Sequence, residues 1–147
     1  MTRSMLLFAA IVLVSADAPK DDASAQDLKK MQGDWVVVSM VADGMKVPDD
    51  DAQVFFRTVK DDKYAVTRYN KKAGQGTIKL DATKKPKTID STPDGPPEKA
   101  KPILGIYEFD GETLKICNSR PGKDRPTDFE AKEGSEHTCI VWQREKK

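Results

Sequence analysis

Few residues in the chain are suited to bond-making chemistry. The 147 residues include one histidine, His137, and two cysteines, Cys117 and Cys139. That set is too small for a zinc site of four cysteines, of two cysteines with two histidines, or of three histidines. No G-x-S-x-G turn supplies a serine for His137 to activate. No C-x-x-C is present, so neither cysteine reads as a redox nucleophile. Asp49-Asp50-Asp51 is an acidic run without the alternating spacing, central glycine and distal glutamate of an EF-hand loop. The sequence therefore offers no catalytic residue, no metal site and no cofactor motif, and it reads as a non-enzyme.

Binding chemistry has more to work with. Arg120, Lys123 and Arg125 cluster around Pro121, Gly122 and Pro126. Guanidinium groups held in a stiff loop suit a carboxylate or phosphate, which makes Arg120 and Arg125 expected ligand contacts. The same arginines can instead pin the loop by pairing with Asp90, Asp124 or Asp128. Tyr64 and Tyr107 stand out in an aromatic pool that also holds Tyr69, Phe55, Phe56, Phe109 and Phe129. They are expected to line an apolar ligand cavity, with ordinary core packing as the alternative. Asp90 faces outward to solvent if Ile89 faces inward.

The elements that position these residues are short strands. Alternation and turn residues predict strands at 34–41, 53–59, 64–69, 76–80, 87–91, 103–109, 113–119 and 137–143. Asp27–Gln32 is one helical turn with Gly33 as its stop, and 47–51 is a loop. Asn70–Gly74 is a turn, Asp110-Gly111 a hairpin, and 92–102 a long loop with four prolines. In the first strand Trp35, Val37 and Ser39 share one face, and Val36, Val38 and Met40 the other. Both Leu104-Ile106 and Gly105-Tyr107-Phe109 are plausible inner faces of the sixth. Eight short strands joined by short links predict an all-β fold, an eight-stranded antiparallel meander barrel with a short N-terminal helical turn.

Gly33-Asp34-Trp35 opens the first strand and Arg144 ends the last, and in a closed meander these two strands are neighbours. This resembles the lipocalin signature, in which an arginine from the last strand lies over the G-x-W indole. The alternative is that Trp35 merely fills the core while Arg144 belongs to a solvated tail. A longer likeness runs through LKKMQGDWVVVSMVADG (28–44), KKPKTIDSTPDGP (84–96), GIYEFDGETLKIC (105–117) and PGKDRPTDFEAKEGS (121–135). Together these are similar to a family of small exported domains found mainly in Planctomycetes. The resemblance implies a lipocalin-like fold and export. It carries no activity and no catalytic residue, and Cys139 stands where an aliphatic residue is expected.

Residues 1–16 have the three parts of a signal peptide: Arg3, a ten-residue apolar run from Met5 to Val14, and small residues ending at Ala16. The run is half the length of about 20 residues that a membrane span needs, although an uncleaved anchor is the alternative. Residues 17–26 read as a disordered spacer and 27–147 as the barrel domain. Export places Cys117 and Cys139 in an oxidising periplasmic or extracellular compartment, where they pair or remain two buried thiols. Lys and Arg total 25 against 24 Asp and Glu, a balance that gives no reason to expect nucleic acid as partner. The sequence thus predicts an exported, monomeric binding module for a small apolar or anionic ligand, with no membrane insertion after cleavage. The alternative is a protein-interaction or cell-envelope domain with a filled core.

Overall fold

The computed structural model describes residues 21–146. The expected signal peptide, and residues 17–20 of the expected spacer, lie outside them. Residues 21–26 are not a spacer: they form the first half of an α-helix, α1 (Asp21–Met31). Strands β1 (Gly33–Ala42), β2 (Met45–Lys46), β3 (Phe55–Lys60), β4 (Lys63–Arg68), β5 (Lys71–Asp81), β6 (Lys87–Pro93), β7 (Ile103–Asp110), β8 (Thr113–Asn118) and β9 (Thr138–Arg144) follow. A one-turn helix, α2 (Asp49–Ala52), sits where a loop was expected and delays the next strand to Phe55.

Each strand pairs antiparallel with its neighbour in the order β2-β1-β3-β4-β5-β6-β7-β8-β9, and β1 also pairs with β9. Eight strands therefore close on themselves, and β2 is a two-residue arm folded back on the end of β1. This is the all-β meander barrel expected, and its form is consistent with a lipocalin-like one.

The period of two decides which side chains face inward. Trp35, Val37, Val59, Tyr64, Ile78, Leu80, Ile89, Tyr107, Leu114, Ile116 and Trp142 form one buried core. Met40 joins them, on the face opposite to the one expected. The β1–β9 register slips between Val37 and Ser39, and one extra residue there turns the rest of the strand over. In β7 the inner face is Gly105-Tyr107-Phe109. Ile106 faces outward yet is buried, because the connection 119–137 straps across the outside of the barrel. Ile106, Cys117, Ala131 and Cys139 make a second small core beneath that strap, with Phe129 packed against it.

α1 covers one end of the barrel. Acidic Asp22 near its start and Lys29 and Lys30 in its last turn suit the helix dipole. Its inner stripe is polar as well as apolar: Ser24, Asp27, Leu28 and Met31. Ser24 Oγ accepts from the Ala82 amide at 2.9 Å, and Met31 is fully buried. The last turn is held by the far end of the chain. Arg144 Nη1 donates to the Gln32 carbonyl at 2.7 Å and Nη2 to the Lys30 carbonyl at 2.6 Å. The guanidinium carbon lies 4.3 Å from the Trp35 ring centroid, and the indole Nε1 donates to the Met31 carbonyl at 2.9 Å. Gly33, at φ 107°, leaves room for this arginine, since a Cβ there would sit 3.2 Å from its Nη1. Cations and donors at a helix C-terminus meet carbonyls that have no partner within the helix.

Candidate binding site in the barrel

The end of the barrel away from α1 is not filled. A cavity of about 260 Å³ opens there, lined by residues of β1 and of β3 through β9. Its walls are apolar: Met40, Phe55, Val66, Ile103, Ile140 and Trp142. Four polar side chains reach in from four different strands. Arg57 comes from β3, Tyr64 from β4, Ser91 from β6 and Asn118 from β8. All four follow the inward alternation of their strands.

Arg57 is the unusual member. It is 5% exposed. Its cross-strand neighbours are Trp35 and Val66, and no acidic side chain lines the cavity. The guanidinium carbon lies 4.9 Å from the Tyr64 ring centroid, a cation–π contact. Nε and Nη2 are buried, and no protein group accepts their hydrogen bonds. Burial pulls the Arg57 pKa down from 12.5 to about 10, with Tyr64 acting weakly in the opposite direction. The group is therefore still a cation at neutral pH. The Tyr64 phenol is pushed up, first by burial.

Asn118 Oδ1 is a third buried atom in this cavity without a partner. The space for it is made by Gly105, its cross-strand neighbour. A Cβ on Gly105 would collide with Asn118 Oδ1 and come within 2.9 Å of the Cys117 carbonyl. Ser91, 4% exposed, adds a hydroxyl. The cavity therefore combines an uncompensated cation, an unpaired acceptor and an apolar wall.

The four residues expected to contact ligand are not brought together. Tyr64 lines the cavity. Tyr107 lies near the α1 end, where its hydroxyl donates to Asp27 Oδ2 at 2.8 Å. Lys87 Nζ meets the same oxygen at 2.7 Å, and burial together with that hydrogen bond raises the Tyr107 pKa. Tyr107 thus secures the helix rather than facing an open space. Arg125 is in the strap, outside the barrel. Its Nη1 donates to the Gly105 carbonyl at 2.7 Å. The same atom lies 2.7 Å from Asp90 Oδ1, an ion pair whose angle is too poor for a hydrogen bond. Arg120 is more exposed still, 3.5 Å from Glu136. Arg125 fastens the strap to the barrel through Gly105 and Asp90, the alternative read from the sequence, whereas Arg120 pairs with Glu136 within the strap itself. Cys117 and Cys139 face each other across β8 and β9 and are joined by a disulfide beneath the strap.

Arg57 was missed by the sequence reading. The signal was present in FFRTVK, where Phe55, Arg57 and Val59 share one face. Once Val59 is inside, so is the arginine.

No family model, curated protein or solved structure matches the chain.

Proposed function

We propose that this protein is a non-catalytic binding module that holds one small molecule in the open end of its barrel. The observation that carries this reading is the buried Arg57 guanidinium, which has two nitrogens without acceptors and no counter-ion in the cavity. A charge in such surroundings is costly unless it is paired and hydrogen-bonded. Water satisfies donors without neutralising the charge, whereas an anionic ligand does both. The lining holds no histidine, cysteine or carboxylate, so it supplies no general base beside Ser91.

Size narrows the ligand. A volume of 260 Å³ is close to the lower end of small-molecule sites, about 300 Å³. It favours a compact molecule over a long lipid chain. An exported carrier or sensor of such molecules is in keeping with the signal-peptide pattern of residues 1–16 and with the export that the sequence resemblance implies.

Native mass spectrometry of protein isolated from its own cells, followed by mass analysis of the denatured extract, tests this. The expected result is a small molecule in one-to-one ratio, released on denaturation. Protein that is empty, and that also fails to bind an apolar fluorescent dye competitively with small organic acids or alcohols, overturns the reading.

A further inference from the structure

Resting on that reading of the cavity, we infer that the ligand is a small monocarboxylic acid that also carries a hydrogen-bond donor. Arg57 receives its carboxylate side-on and Asn118 receives its donor.

The argument starts from which atoms are unpaired. Nε–H and one N–H of Nη2 point the same way from a guanidinium and form one edge of its fork. That edge matches the two oxygens of a carboxylate in a bidentate pair. In Arg57 the two buried nitrogens without partners are these two. Tyr64 lies against the group, and both nitrogens are closed to solvent, so an anion that pairs with this edge does so as the side chain turns into the cavity.

The charge of the cavity selects among anions. Arg57 is the one cation in the lining, which suits a single negative charge. A phosphate brings up to two charges and three acceptor oxygens, for which the cavity offers no second cation. Asn118 Oδ1 is an acceptor and repels a second anionic oxygen, so its partner on the ligand is an O–H or N–H. Met40, Ile140 and Trp142 then enclose the carbon skeleton. A short hydroxy acid satisfies every one of these conditions; a plain alkane or a phosphate ester does not.

Calorimetric titration with compounds of one skeleton tests the inference: hexanoate, its hydroxylated analogues and hexanol, with inorganic phosphate alongside. Hexanoate is expected to bind at least about tenfold more tightly than hexanol, the size of one charge-assisted contact. A hydroxylated hexanoate is expected to exceed hexanoate, and Asn118→Leu to remove that advantage. Arg57→Met should erase the preference for the acid while hexanol still binds. Arg57→Lys, which keeps the charge without the fork, should fall between. Equal binding of hexanoate and hexanol, equal binding of phosphate, or an acid preference that survives Arg57→Met overturns the carboxylate inference and leaves the cavity reading standing. If neither acids nor alcohols bind and none displaces an apolar dye, the cavity reading fails with it.

Discussion

Replacing Arg57 by methionine should make the ligand-free protein more stable. Burial moves the guanidinium from 12.5 to about 10. That difference, at about 1.4 kcal/mol per pKa unit, corresponds to about 3 kcal/mol of destabilisation carried by the charge at neutral pH. Methionine is shorter and carries no charge, and its flexible thioether fills irregular apolar space well. The substitution also loses the cation–π contact of Arg57 with Tyr64, worth about 0.5–2 kcal/mol. The net expectation is a gain of about 1–2.5 kcal/mol in unfolding free energy, the kind of gain found when a functional group held at a cost is removed. Urea unfolding at neutral pH, followed by tryptophan fluorescence, reads it as a higher midpoint at unchanged slope. The pH dependence has a definite sign. The folded-state pKa lies below the unfolded one, so the penalty is fully present below about pH 10 and fades as pH rises towards 12.5. The gap between the two proteins should therefore narrow over that interval. A variant that loses more than about 1 kcal/mol would show that Arg57 has a stabilising partner in the folded protein, and the argument for an uncompensated charge would be wrong.

Three further outcomes follow from other contacts. Arg144→Met removes two hydrogen bonds to the last carbonyls of α1 and the indole contact; it should cost about 1–3 kcal/mol, and amide exchange should accelerate first in residues 21–31. Reduction of Cys117–Cys139, which are 22 residues apart, should lower stability by about 3 kcal/mol on the loop-entropy view, measured as a urea-midpoint shift with and without reductant. Gly105→Ala should destabilise the protein by at least about 1 kcal/mol, because its Cβ meets Asn118 Oδ1 and the Cys117 carbonyl; an unaffected midpoint would mean that Asn118 does not lie across this strand.

The strands were legible because each carries its own signal. β-branched and aromatic runs are bounded by Asp, Gly and Asn turns, and their close spacing implies a meander. What the sequence hid depends on contacts distant along the chain. α1 is polar, and residues 21–26 look like a spacer; the helix is fixed by Arg144, Lys87 and Tyr107, which no local pattern reveals. The turn between β4 and β5 falls at Tyr69-Asn70, both at positive φ, and the expected Asn70–Gly74 turn instead becomes the start of β5. The bulge after Val37 inverts Met40 without changing any residue type. The candidate site suffers most from this. Tyr107 looks like a cavity aromatic until Asp27 is placed on it, and Arg57 looks like an ordinary surface charge until its strand is given a face. The charges of the strap illustrate the same point, since Arg125 and Asp90 are 35 positions apart in the chain and in contact in the fold.

The seam between β1 and β9 has a consequence for how the molecule is made. β9 is the last of the described strands to leave the ribosome, and its neighbours, β8 and β1, come from late and early in synthesis. Until it arrives, a nascent sheet presents two unpaired edges, and such edges invite pairing with other chains. Cys139 is carried on that same strand, so Cys117 has no partner thiol before then. Oxidation of this pair therefore marks the arrival of β9 beside β8 and holds in place the strand that seals the seam. Chains arrested before Thr138 should keep one free thiol and associate with one another, whereas full-length chains that have lost both thiols hold β9 against β8, in position to pair with β1.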